Sequence, residues 1–425
     1  MQFPLQSFIA VSAANPWTYV LFGLIGFAFG FTLEMSGFGN SKKLAAQFYF
    51  KDLTVLKVMF TAIVTAMVLL FGAVGLGLLD FSQVWVNQTY VASGIVGGLI
   101  MGVGFIVGGF CPTTSLASAS TGKIDGMFFM LGGFVGAFLF GETEQYFTQW
   151  YNNAGFYGRL TLDQVFHLPV GVVVLLIVLM ALFMFWGAEQ LERIIGKRDL
   201  TKEPKLRLVG AVALVAVALT VVFIGQPSLE SRYNKVTFTR TVNEQPVKYT
   251  ADEMLAQRLV MISPAETFKS LYNQSMNPVF LDVRSEADYN LYHVKGAINI
   301  PLERIGEAVP ALLTEPAANT VFIVMSNDET AAVKAWKTLV ASSIQNVYIL
   351  EGGVNNWIAF FGKDDKSPLQ PALTAGDDQL KYIFPAALGA RYESCSPNPI
   401  EYESLTFEAK IKLQLKRDKS GGGCG

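Results

Sequence analysis

Histidine and cysteine are nearly missing from this chain, with two of the first and three of the second among 425 residues. Scattered as His167, His293, Cys111, Cys395 and Cys424, they make no zinc-type spacing, so neither a metal site nor a redox cofactor is expected. Charge is scarce too, at 16% of residues and a net of −2. No basic block and no aromatic platform with basic neighbours occurs, which argues against nucleic acid as a ligand. What remains is apolar: 52% of residues are hydrophobic, well above the charge-rich balance of a soluble enzyme.

That apolar content is unevenly placed. Up to about residue 225 long apolar runs dominate, and from 226 onward short alternating segments and ordinary charge density return. Runs at 17–34, 57–79, 91–110, 126–141, 169–187 and 207–225 are long enough, or nearly so, for a bilayer core of about 30 Å, the fourth being the shortest. Met1 to Pro16 holds no Lys or Arg and no small-residue cleavage motif comes after it, so the first run reads as a retained membrane helix. Lys42, Lys43, Lys51 and Lys57 come after the first run, and Arg193, Lys197, Arg198, Lys202, Lys205 and Arg207 after the fifth. Lys and Arg are retained on the cytoplasmic side, so these segments are expected inside. The amino terminus and the part after 226 are then outside, in the periplasm where the cell has one. The expected location is a bacterial inner membrane, multi-pass.

Two stretches in the membrane part superimpose at an offset of 72: Gly26, Gly30, Gly37 and Phe38 fall on Gly98, Gly102, Gly109 and Phe110. The GxxxG spacing by itself allows close helix packing. The ends of the two helices are more telling, because each runs into a polar break, SGFGNSKK in one copy and GGFCPTTS in the other. Irregular backbone at membrane depth is tolerated where it is buried or lines a watery path, and paired interrupted segments point to a transporter's substrate site. Cys111 stands at the second break, where the first has Gly39. Cysteine in a membrane is commonly an inert small hydrophobe. Here Thr113, Thr114, Ser115 and Ser118 supply hydroxyls beside it, and a helix beginning near Pro112 would aim its amino-terminal dipole at the same point, a combination suited to a small anion. Glu34, an acid at the end of the first run, joins the substrate-path residues as an intramembrane ionisable group.

The stretches SGFGNSKKLAAQFYFKDLTVLKVMFTAI and GGFCPTTSLASASTGKIDGMFFMLGGFVGAFLF resemble the YeeE/YedE family, the sulfur-transport domain. The resemblance covers about 17–225 and implies thiosulfate uptake along a central path of cysteines. Cys111 matches one such position, Gly39 stands where some members have another, and no third membrane cysteine is present. It also implies about half the membrane complement of the longest members, hence a homodimer or a second half-transporter subunit, set in membrane lipid.

From 262 strands and helices alternate, as in ISPAETFKSLYNQ, PVFLDVRS, TVFIVMS, ETAAVKAWKTLVAS and NVYILEGG, which reads as a small α/β sheet. FLDVRSEADYNLYHVKGAINIPL and YILEGGVNNWIAFF resemble the rhodanese family over about 262–362. Asp282, Arg284, His293, Gly296, Ala297, Asn299 and Pro301 fall on its first motif and Gly352, Gly353 and Trp357 on its last. In that family the sulfur-carrying cysteine comes directly after the third strand, in a loop whose N–H groups cradle the anion. Here the loop reads Ser326-Asn327-Asp328-Glu329, and a serine cannot form a persulfide. The domain is therefore expected to bind or dock without catalysis, Arg284, Ser326 and Asn327 marking the pocket.

The last segment, 363–425, ends in KSGGGCG. Three glycines carry almost no conformational restraint, so Cys424 is expected on a tether. Residues 405–417 alternate well enough for a strand. The terminal cysteine resembles the swinging arm of a periplasmic thiosulfate-oxidation carrier, which implies periplasmic sulfur-oxidation proteins as partners. A labelling tag, a frayed end, and a disulfide between Cys395 and Cys424 are the competing readings.

These readings converge on a polytopic α-helical membrane domain with paired Gly-rich interrupted helices (1–225), a linker or extension (226–261), a small α/β rhodanese-like soluble domain (262–362) and a C-terminal extension. The expected function is transport of thiosulfate or a related sulfur anion. The alternatives are a membrane-anchored sulfur carrier that translocates nothing and, disfavoured by Ser326, an active sulfurtransferase.

Overall fold

The computed structural model describes residues 16–84, 86–197, 206–242, 245–314, 319–362, 370–371, 376–384 and 397–413. Cys395 and Cys424, and with them the disulfide and the carrier arm, lie outside the described residues. The chain forms two compact units, one built mainly from residues up to Pro227 and the other beginning at Ser228.

The first unit is helical. Its repeat is α1 (Pro16–Met35), α2 (Ser41–Ala45) and α3 (Thr54–Gly75), and then α4 (Val91–Gly108), α5 (Pro112–Ser120) and α6 (Ile124–Thr143). Short helices α7 (Thr148–Asn153) and α8 (Leu162–Phe166) lead to α9 (Val170–Ile194) and α10 (Leu206–Ile224). Among the described residues five helical segments are long and apolar enough to cross a membrane, and Tyr19–Met35 is a shorter apolar helix. The fourth run, short by sequence, is part of α6, whose 20 residues rise about 30 Å.

Long helices end in the same way in both copies of the repeat. Gly37 (φ +77) and Gly109 (φ +72) take the left-handed conformation that stops a helix, and the phenylalanine after each turns inward. Phe38 and Phe110 share one buried cluster with Leu44 and Val55. A second cluster, built from Val64 and Val68 of α3, Val174, Val178 and Ala181 of α9 and Ala218 of α10, holds those three helices together. Gly171 lets α9 lie against α10, since a Cβ there would meet the Val222 Cα at 2.8 Å.

The loops sort into two ends. At one, Ser118 bonds Gly39, Lys123 pairs with Glu34, and Lys57 pairs with Glu192. At the other, Tyr90 bridges Phe156, and Arg159 sits 5.3 Å over the Phe81 ring. Successive long helices therefore run in alternating directions, as successive crossings must.

The second unit centres on a five-stranded parallel sheet of order β3-β7-β6-β4-β5, made of β3 (Met261–Ile262), β4 (Asn277–Asp282), β5 (Ile298–Asn299), β6 (Thr320–Met325) and β7 (Val347–Leu350). Every residue of β6 and β7 is buried, as a parallel strand covered on both faces requires. Helices α13 (Pro264–Leu271), α14 (Glu286–Leu291), α15 (Ile305–Leu312), α16 (Thr330–Ala341) and α17 (Gly353–Phe361) complete this fold. The stretch expected as a linker is folded: α11 (Leu229–Tyr233), the hairpin β1 (Thr237–Val242) with β2 (Gln245–Thr250), and α12 (Ala251–Ala256) all contribute to the domain's core. Phe238 of that hairpin stacks on the buried Trp336, ring centres 6.0 Å apart.

Of the C-terminal extension, β8 (Gln370–Pro371) pairs with β9 (Tyr382–Ile383). The strand expected from 405 does not form among 405–413. Side chains take the place of a neighbouring strand there: the Glu266 carboxylate accepts from the amides of Lys410 and Ile411, both at 2.8 Å, and the Tyr348 hydroxyl accepts from Lys412 N at 2.8 Å. Glu266 lies three residues after the cap Ser263, the place of a capping-box glutamate, but its carboxylate turns to the extension instead.

Candidate functional site

Two loops carry the residues singled out by sequence, and each stands at the start of a helix. In the membrane unit Cys111 is the cap of α5, with Pro112 at the first helical position. Its amide donates to Thr114 Oγ1 at 2.9 Å, and the Thr114 hydroxyl lies 3.1 Å from the Cys111 carbonyl and 3.3 Å from Sγ. The thiol is half-buried, while Thr114 and Ser115 are buried and Ser115 donates back to the Pro112 carbonyl at 2.7 Å. Thr113 stands beside them on the first turn and is also engaged in a polar interaction. Of this group, the Cys111 sulfur is the soft, polarizable atom.

The two breaks of the repeat meet. A Cβ on Gly109 would lie 3.0 Å from the Ser41 carbonyl oxygen, so α2 starts directly against the α4–α5 break. Gly39 offers its carbonyl to the buried Ser118 hydroxyl at 3.1 Å. A side chain at 39 would displace an ion pair, because Glu34 Oε2 and Lys123 Nζ would be 2.6 and 2.8 Å from its Cβ. Glu34, expected on the substrate path, is thus paired with Lys123 at 2.9 Å across the repeat. Sequence reading passed over Lys123. Its signal was a lone cation between two apolar helices, which in a membrane calls for an acid such as Glu34. Nearby, Ser41 donates to Asp125 at 3.2 Å, and Lys43 Nζ donates to the Ser36 carbonyl that ends α1 at 2.7 Å.

A second, buried pair ties the repeat to the helices beyond it. Glu192 is fully buried, bonds Lys57 at 2.8 Å and accepts from the Leu53 amide at 2.5 Å, which fixes the start of α3 on the end of α9.

In the soluble unit, Asp282 and Arg284 form a buried ion pair at 2.6 Å. The guanidinium also donates to the Tyr292 carbonyl at 2.6 Å and to Asn327 Oδ1 at 3.2 Å. Arg284 was expected to mark a binding or docking pocket; with its side chain 1% exposed and its donors turned inward, it is an internal brace of the loop instead. The Asn299 amide completes it by donating to the Asp282 and Arg284 carbonyls at 3.1 and 3.0 Å.

The loop after β6 contains Ser326, fully buried, whose Oγ accepts from Ala332 N and donates to the Asp328 carbonyl, both at 3.2 Å. Gly352 and Gly353 both have positive φ, and a Cβ on Gly353 would collide with the carbonyls of Ser326, Asn327 and Asp328. Glu329 turns out to Arg258 at 2.7 Å and accepts from Gly352 N at 2.7 Å. Negative charge reaches the loop from Asp328 within it and from Asp378, a residue that sequence reading missed. The Asp378 carboxylate accepts from the Asp328 and Ala331 amides, both at 2.9 Å. Burial would push the Asp328 carboxyl up, but the amides of Thr330 and Asp378, bonded to it, hold it below the ordinary aspartate value.

A helical membrane unit with paired helix breaks, joined to a parallel α/β unit with an Asp–Arg-braced loop, defines a membrane protein fused to a rhodanese-like domain. The sulphur transport family model matches residues 35–261 and the rhodanese-like domain model residues 265–360. The former spans more than half of the chain, which therefore belongs to the sulphur transport family. Among solved structures, a crystal structure of a protein from Lactobacillus plantarum is similar at 24% identity and a TM-score of 0.22, over 26% of this chain and 91% of that one. No curated protein matches.

Proposed function

We propose that this sulfur-transport protein carries thiosulfate, or a related small sulfur oxyanion, across the inner membrane between the two helix breaks. The observation that supports this most is the capping position of Cys111, which presents a polarizable thiol and the first turn of α5 where the two repeats touch. An anion there gains from the helix dipole without a buried lysine. The Glu34–Lys123 pair, at the opposite end of α5, closes the junction of the breaks with no net charge of its own. In this reading the breaks face the cytoplasm and the rhodanese-like domain faces the periplasm, in keeping with the placement of Lys and Arg. A second copy of the chain, or another half-transporter, would complete the pore.

The rhodanese-like domain serves as a binding or docking module and turns over no sulfur, since Ser326 replaces the nucleophile. Cys424 would present sulfur cargo to the membrane unit, with periplasmic sulfur-oxidation proteins as exchange partners. The experiment is uptake of radiolabelled thiosulfate into cells lacking their own route, comparing the intact chain, Cys111→Ala and a truncation after Ser420. Uptake by the intact chain that is lost in Cys111→Ala at equal membrane expression supports the path; no uptake by the intact chain above empty vector overturns it and favours the anchored carrier.

A further inference from the structure

The loop after β6 in the rhodanese-like domain presents backbone N–H groups at the start of α16, a helix of 12 residues. Two of them, from Asp328 and Ala331, hold the two oxygens of one carboxylate, and that carboxylate belongs to the chain itself. Asp378 lies about fifty residues further on, in the C-terminal extension. The exchange is reciprocal: the Asp378 amide donates to Asp328 Oδ2 at 2.7 Å, while Asp328 Oδ1 accepts from Thr330 N at 2.7 Å. Asp378 adopts φ +53, a left-handed conformation that aspartate tolerates better than most residues.

The residues around Asp378 are fastened as well. Asn327 Nδ2 donates to the Asp378 carbonyl at 3.0 Å and to Asp288 at 3.1 Å. On α17, Asn355 Nδ2 donates to the Gln379 carbonyl at 2.9 Å and its Oδ1 accepts from Lys381 N at 2.8 Å. Phe384 stacks on the buried Tyr292, ring centres 4.9 Å apart. Residues 376–384 are therefore a strap bonded to both helices that flank the loop.

We propose that this strap is a built-in occupant of the loop: the Asp378 carboxylate fills the place that an external oxyanion would take, and keeps the loop shut while the strap is seated. Two aligned amides at a helix start favour an anion, and a second anion at the same amides would have to displace the carboxylate or share its space. Ser326, which cannot carry a persulfide, and the capture of Asp378 then have one outcome, a loop given to self-binding. This inference rests on the soluble unit alone and stands or falls independently of the transport reading.

The test is hydrogen–deuterium exchange on the full chain in detergent, for the parent and Asp378→Ala, with and without sodium thiosulfate. In the parent, amides of 326–332 should be protected and indifferent to thiosulfate. In Asp378→Ala they should exchange about tenfold faster, the loss of roughly one hydrogen bond's worth of protection, and thiosulfate should restore much of it. Amides of β4 and β6 report whether the variant is folded. If it is not, Asn355→Ala, which frees the strap without touching the loop's donors, should accelerate exchange in 326–332 and 376–384 together. Unchanged exchange in the folded variant would overturn the proposal. So would equal protection of the parent by thiosulfate, or faster exchange in the variant that thiosulfate does not slow, since Asp378 would then be a clasp and no stand-in for an anion.

Discussion

The membrane break and the rhodanese-like loop solve the same geometric problem with opposite outcomes. Each puts a short loop before a helix, whose first N–H groups have no partner within the helix itself. At the break the capping residue is Cys111, whose thiol is half-buried and accepts from Thr114 on its own turn. At the soluble loop Ser326 is fully buried, its hydroxyl bonds backbone on both sides, and Asp378 holds two amides of the loop. The contrast teaches that the same loop-before-helix frame can leave a side chain partly open at one site and be filled by the chain's own carboxylate at another.

The sharpest way to break that contrast is to compare Cys111→Ala with Ser326→Ala in uptake. The first should lower thiosulfate uptake by about tenfold or more, as expected when a group contacting the transported anion is removed, and the second should leave it unchanged while lowering the soluble domain's stability by about 1 kcal/mol, one hydrogen bond. Equal effects would erase the difference between the two loops. Next in size is Arg284→Ala. Leaving Asp282 buried without its cation should cost about 3–5 kcal/mol, read as an early unfolding transition of the soluble unit by thermal denaturation, with the membrane helices unaffected.

Gly109→Ala should cost about 1–3 kcal/mol, because alanine at a left-handed φ is strained and its Cβ would press on the Ser41 carbonyl. The control is Gly102→Ala, which meets nothing within 4 Å and should be silent in the same melt. The smallest effect is electrostatic. Burial, only partly offset by the amides of Ile411 and Lys410, pushes the Glu266 carboxyl above its ordinary value. A carboxyl whose pKa is higher in the folded state contributes stability below its unfolded value, and that contribution is lost as pH rises through the folded one. Glu266→Gln keeps an acceptor for the two amides without the charge, so its melting temperature relative to the parent should climb as pH is raised from about 4 toward about 7. A difference that is flat with pH would mean that the burial of Glu266 carries no electrostatic cost.

Much of the architecture was legible because its signals are local. Apolar runs gave the membrane helices, and the glycine-phenylalanine pairs at 37–38 and 109–110 marked both breaks, since a left-handed φ next to an inward aromatic is a property of adjacent residues. The apolar runs of β6 and β7 read as strands of a small α/β sheet; their parallel pairing came with the structure. The partners across the fold were not legible. Lys123 finds Glu34 over a separation of 89 residues, and Asp378 finds the loop amides over 50, through backbone groups that leave no trace in residue type. Arg284 was expected to mark the pocket from its motif position, which does not reveal that its carboxylate partner two residues away and the Tyr292 carbonyl satisfy it inside. The alternation of 405–417 suggested a strand, but the periodicity cannot reveal that among 405–413 a glutamate would take a strand's place.

That glutamate also bridges a distance along the chain. With the amides of Lys410 and Ile411 held by Glu266, and Lys412 by Tyr348, the chain is pinned to the sheet domain just before Leu413. Glu266 thereby joins positions 145 residues apart in the chain, and a clasp of that span couples two orders: loosening the start of α13 would release 410–411 with it, so this part of the extension is expected to open and close together with the helix that holds it.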